Sequence, residues 1–128
     1  MDYLTTCEEL TARLGELGAE DPVVPAALAF AIQPWLKGIH DGSDMMRWGL
    51  FGGAVQVVAD RLWPGPATVS VAASSSPIPG PRLDSAVAGL VSAVANVLGH
   101  AGQQGSDARA WEYAAAFAEL LDAVKELE

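Results

Sequence analysis

The sequence has few of the residues from which metal and cofactor sites are built. Its 128 residues include one cysteine, Cys7, and two histidines, His40 and His100. A single cysteine excludes an internal disulfide, and the Cys/His spacings typical of structural zinc do not occur. No phosphate-binding loop, dinucleotide fingerprint or serine nucleophile elbow is present. We therefore expect no metal and no cofactor, and we expect Cys7 to be a packing residue in a reducing compartment.

Positive charge is also scarce, because seven Lys and Arg face sixteen Asp and Glu and leave a formal net charge of −9. Without a basic patch, the chain is expected to bind neither nucleic-acid phosphates nor an anionic membrane surface. The first ten residues lack a basic segment followed by an apolar one, so we expect a cytoplasmic protein. The abundance of alanine, and of arginine over lysine, is typical of GC-rich bacterial genes.

What the sequence does contain is helical periodicity, with apolar residues at alternating steps of three and four. The pattern predicts an all-α fold, a four- to five-helix bundle that forms a single helical domain over residues 1–128. The four tryptophans are expected to cover the ends of the core, where replacing any one with alanine would cost about 3–5 kcal/mol. The predicted helices cover about residues 3–17, 26–39 with a break near Gln33, 44–63, 81–100 and 106–127.

A long connector is expected at residues 64–81, between the third and fourth predicted helices. It holds five of the eight prolines and no charge, so neither a helix nor a central strand fits its whole length. Connectors above about 12–15 residues are uncommon in compact domains and are often lids, binding loops or linkers. The sequence leaves open whether this one is a passive crossover or a functional loop.

The third and fourth predicted helices carry the most unusual surfaces. The fourth is free of charge from Ala86 to His100, which indicates a central helix or one covered by a second copy of the chain, and we expect a homodimer on this basis. The third has a second stripe of mostly small side chains, which would pack tightly against another helix or leave a groove. That stripe consists of Met45, Gly49, Gly52, Gln56, Ala59 and Trp63.

A polar cluster follows the second predicted helix, where His40 and Asp41 precede Asp44, Arg47 and Trp48. An imidazole beside a carboxylate is a common general base, and an arginine can hold an anionic substrate group. The alternative is a polar turn in which Ser43 or Asp44 caps the next helix and Arg47 extends into solvent.

A second polar pair, Asn96 and His100, lies one turn apart on the otherwise apolar fourth helix. We expect both to project into the bundle interior or toward the connector. A buried polar group costs about 1–3 kcal/mol without a partner, and a ligand would supply one. The alternative is a structural role, with Asn96 bonded within the protein or to a second subunit and His100 favoured near a helix C-terminus.

These features support two hypotheses for function. The first is a non-enzymatic accessory protein that binds a protein partner or a small apolar molecule. The alternative is a cofactor-independent enzyme with an apolar pocket between the third and fourth helices, His100 or His40 as the base, Asp44 as a further catalytic candidate, and Gln56 or Asn96 orienting the substrate. The candidate ligand-binding residues are Trp48, Gly49, Gly52, Gln56, Trp63, Asn96 and His100.

Overall fold

The computed structural model describes residues 2–39 and 44–128, and over these residues it contains helices and no strand. The all-α prediction is confirmed. The described residues form six helices where the sequence predicts four to five, because the second predicted helix is divided at Ile32, two residues before Pro34. The helices are α1 (Tyr3–Leu14), α2 (Val23–Ala31), α3 (Gln33–Leu36), α4 (Met45–Leu62), α5 (Pro81–Gln104) and α6 (Ala108–Lys125).

In the first helix, the apolar residues of the sequence pattern form the side that packs against the core. Asp2 caps α1 by accepting a hydrogen bond from the backbone N–H of Thr5, at 2.8 Å. The stripe from Tyr3 through Cys7 to Leu14 is buried. The Tyr3 ring stacks on Phe30 of α2, and its hydroxyl donates to the Phe30 carbonyl oxygen at 2.5 Å. Helix α1 is thereby held against α2 by both ring contact and hydrogen bonding.

The direction of the longer helices follows from the bonds at their ends. Trp48 and Asp84, near the starts of α4 and α5, are hydrogen bonded, so these two helices begin at the same end of the bundle. Arg109, near the start of α6, donates to the carbonyl oxygen of Leu62 at the end of α4, so α6 is antiparallel to α4. Helix α5 packs against α1, α2 and α6. A side chain at Gly99 would collide with Phe117, which shows how closely α5 and α6 approach each other.

Helix α5 is long and apolar enough to cross a membrane, judged by its length and composition alone. That test is weak evidence, because a helix at the centre of a core passes it as well. The residues of α5 that face its three neighbouring helices, including Val87, Val91, Val94 and Leu98, are fully buried by the chain itself.

Residues 64–80 form neither helix nor strand. Because α4 and α5 begin at the same end of the bundle, this segment must return along the length of α4, which is about 27 Å for 18 residues. Val71 and Ala73 pack partly against the core, whereas Ile78 is exposed. The segment therefore lies on the surface of the bundle and does not insert between its helices.

The four tryptophans do not share one environment. Trp48 is fully buried, and Trp35 and Trp63 are partly buried against the core. Trp111 is 75% exposed on the outward side of α6, so the expectation that every tryptophan covers the core is wrong at this position. The helical periodicity of α6 accommodates both the buried face and Trp111, because Trp111 lies opposite the residues that contact the core.

The thiol of Cys7 should make stability depend on alkaline pH. Burial raises the pKa of Cys7 from its ordinary value of 9.0 to about 12. The unfolded chain therefore loses this proton first, and the free energy of unfolding should fall as the pH rises from about 9 to about 12. Urea titrations across that range measure the slope. A Cys7→Ala variant should show a shallower slope, with the remainder due to groups such as Tyr3, and an unchanged slope would contradict the assignment.

Candidate functional site

An ion-pair cluster joins three helices at the end of the bundle where α4 and α5 begin. The guanidinium of Arg47 donates to Asp44 at 3.1 Å, to Asp84 at 3.0 Å and to the backbone carbonyl of Glu126 at 3.2 Å. The other carboxylate oxygen of Asp84 accepts from the indole nitrogen of Trp48, at 3.2 Å. The hydrogen bonds that Arg47 donates, to Asp44 first and to Asp84 second in effect, raise the pKa of Arg47 and keep the guanidinium charged. The cluster links the starts of α4 and α5 to the end of α6.

This geometry corrects two expectations for the polar cluster. The Asp44 side chain accepts no hydrogen bond from a backbone N–H of α4 and pairs with the Arg47 side chain instead, so its predicted capping role is wrong. Arg47 does not extend freely into solvent, because it bonds to the three partners of the cluster. The sequence places Asp84 only near a helix start and gives no sign of Trp48 as its partner. The predicted cluster members His40, Asp41 and Ser43 lie outside the described residues, so their part in acid–base chemistry stays a prediction.

Asn96 and His100 lie on the exposed side of α5, and the expectation that they project into the interior is wrong. The side chains that fill the interior come from the opposite side of the helix, at Val94 and Leu98. The Nε2 atoms of His100 and Gln104 are 2.9 Å apart. Both candidates line an open groove of about 380 Å³ between α1 and α5. A ligand role for the pair stays a prediction.

The other candidate ligand-binding residues do not surround one pocket. Trp48 is buried in the core, Trp63 lies partly buried at the end of α4, and the space over Gly52 is filled by the Trp35 ring. Gln56 donates to Asp60 on its own helix. The backbones of α4 and α5 do not approach each other closely, and α2 and α6 contact both of them. The two helices are joined near their starts through the side chains of Trp48, Arg47 and Asp84. The pocket between these two helices that the enzyme hypothesis requires stays a prediction.

The outward side of α4 is apolar, which the sequence reading did not single out. It consists of Met46, Gly49, Leu50, Gly53 and Val57, which we call the α4 face. Met46 is 78% exposed, Leu50 56% and Val57 61%. The 4-3-4 spacing of Met46, Leu50, Gly53 and Val57 is a third stripe of the same helix, and it is the signal in the sequence that marks this surface.

Shape and charge distinguish the α4 face from the rest of the surface. The helix has no charged residue between Arg47 and Asp60. A Cβ atom added at Gly49 or Gly53 would meet nothing within 4 Å, so both glycines leave open notches. Leu36, on the neighbouring helix α3, and Met45 are exposed as well. Adjacent exposed apolar side chains of this size are typical of interaction surfaces.

Within residues 2–39 and 44–128, no group of three or more His, Cys, Asp or Glu side chains is arranged to hold a metal ion. Comparisons of the chain with protein-family models, with curated proteins and with solved structures gave no match.

Proposed function

We propose that this protein is a non-enzymatic binding protein that engages a partner protein through the α4 face. The observation that carries the proposal is the exposure of Met46, Leu50 and Val57 on the outward side of one helix. A surface helix of a folded domain normally directs polar side chains outward. An apolar outward side costs solubility unless another surface covers it.

A protein fits this surface better than a small apolar molecule does. Small-molecule sites are concave and enclose most of their ligand. The α4 face is the outer side of a helix and has only the shallow notches at Gly49 and Gly53. An apolar helix face is instead suited to packing against another helix, with large side chains seated in the spaces between their neighbours.

Oxidative footprinting tests whether the α4 face is covered. Met46 is highly exposed and its thioether oxidises readily, so hydroxyl radicals should modify it in the dilute purified protein. In cells that express the protein at its natural level, Met46 should be protected at least about threefold. Trp111, exposed on α6, should be modified equally in both settings and serves as the internal reference.

A pair of variants makes the footprint specific. Val57→Glu places a charge on the α4 face and should abolish the protection of Met46 in cells. Ala115→Glu adds the same charge on the exposed side of α6 and should leave the protection intact. Equal oxidation of Met46 in cells and in the dilute purified protein would overturn the proposal.

A further inference from the structure

Resting on the proposed function, we infer that the partner of the α4 face is a second copy of this chain, with the two α4 helices packed antiparallel and crossing at Gly53. The net charge of −9 makes two copies repel one another over most of their surfaces. At the α4 face this repulsion is reduced, because α4 is uncharged from Trp48 through Ala59 and its outward side chains there are apolar. Two copies meet there without placing carboxylates side by side.

The α4 face is complementary to itself when the second helix runs in the opposite direction. Gly53 lies near the midpoint of Met45–Leu62, so a two-fold axis there places Gly53 opposite Gly53 of the partner subunit. The same axis places the exposed side chain of Val57 opposite the open notch at Gly49 of the partner subunit. Glycines four residues apart let two helix backbones approach closely, as in other small-residue helix crossings.

The charges at the ends of α4 favour the antiparallel direction. Asp60 follows the α4 face near the C-terminal end of the helix, where the neighbouring Arg61 is paired with Glu119 of α6. At the N-terminal end, the side chain of Asp44 does not cap the helix. In the antiparallel pair, Asp60 lies near the positive end of the partner's helix dipole, which is favourable. In a parallel pair, Asp60 lies beside its own copy and the two positive dipole ends meet. The helix dipoles and Asp60 therefore favour the antiparallel direction.

The interface is one helix wide, which limits its strength. A standard stable interface removes about 800 Å² of surface from each partner, and smaller ones are typical of transient complexes. We therefore expect a reversible dimer with a dissociation constant in the micromolar range.

Sedimentation velocity of the full chain, from about 1 µM to about 1 mM, tests the inference. The average mass should rise from that of the monomer toward twice that value. Gly53→Leu should weaken association at least about tenfold, and the open space over Gly53 lets the monomer fold with this substitution. Ala115→Glu should leave association unchanged. A monomer at every concentration, or a dimer that is insensitive to Gly53→Leu, would overturn the inference.

Disulfide trapping tests the direction of the two helices. Mixing a Gly49→Cys variant with a Val57→Cys variant should give a cross-linked heterodimer, and neither variant alone should cross-link efficiently. Cross-linking of each variant with itself would show a parallel pair and overturn the arrangement. Native Cys7 is buried and does not compete. If Met46 is protected in cells while the purified chain stays monomeric, the proposed function stands and this inference fails.

Discussion

Replacing Asp84 with alanine is expected to lower the free energy of unfolding by about 3 kcal/mol. The substitution leaves the indole N–H of buried Trp48 without its acceptor and removes one carboxylate from Arg47. Because Arg47 is partly exposed, water compensates some of the lost ion pairing, and the orphaned indole accounts for much of the effect. Urea denaturation followed by circular dichroism measures the loss.

Two further variants separate these contributions. Asp84→Asn keeps an oxygen acceptor for Trp48 but removes the charge, and should cost about half as much as alanine. In a double-mutant cycle, Trp48→Phe removes the indole N–H, so the effect of Asp84→Ala in that background should be smaller by at least about 1 kcal/mol. A cost below about 1 kcal/mol for Asp84→Ala would mean that Asp84 behaves as an ordinary surface carboxylate.

Two adjacent glycines are expected to respond to alanine in opposite directions. A Cβ atom at Gly52 would lie 2.3 Å from two ring atoms of Trp35, so Gly52→Ala must displace the indole. The lost packing outweighs the gain in helix propensity, which is about 1 kcal/mol, and we expect a net loss of about 2 kcal/mol. At Gly53 the added Cβ meets open space, so Gly53→Ala should gain up to about 1 kcal/mol.

Chemical denaturation at a protein concentration well below the expected dissociation constant compares the two variants in the monomer. Tryptophan fluorescence should also report greater solvent exposure of an indole in Gly52→Ala and not in Gly53→Ala. If both substitutions stabilise the chain equally, Trp35 is not seated on Gly52. In that case α3 packs differently against α4.

The sequence predicted the all-α fold and much of the helical core, because buried positions such as Cys7, Val55 and Leu98 recur at helical spacing. Asp107, a residue type preferred at helix starts, caps α6 by accepting from the N–H of Ala110. These features are local, since each depends on residues within one or two turns.

What the sequence could not predict depends on contacts between distant segments. The hydrogen bond from Trp48 to Asp84 joins residues 36 positions apart, and the bond from Arg47 to Glu126 joins residues 79 positions apart. The identity of each helix's neighbours decides which side is buried when a helix is apolar all round. The apolar pattern of α5 therefore predicts an interior position for Asn96 and His100, although both are exposed. For the same reason the pattern of α4 does not show that the α4 face is exposed.

The chain between α4 and α5 is longer than the distance it has to span. The 18 residues from 63 to 80 reach up to about 60 Å when extended, about twice the span they must cover. Ten residues would still suffice, and a change from 18 to 10 residues alters the loop-closure free energy by only about 0.5 kcal/mol. The segment is therefore longer than the fold requires, and foreign sequences inserted into it should change helix packing little if the contacts of Val71 and Ala73 with the core are kept.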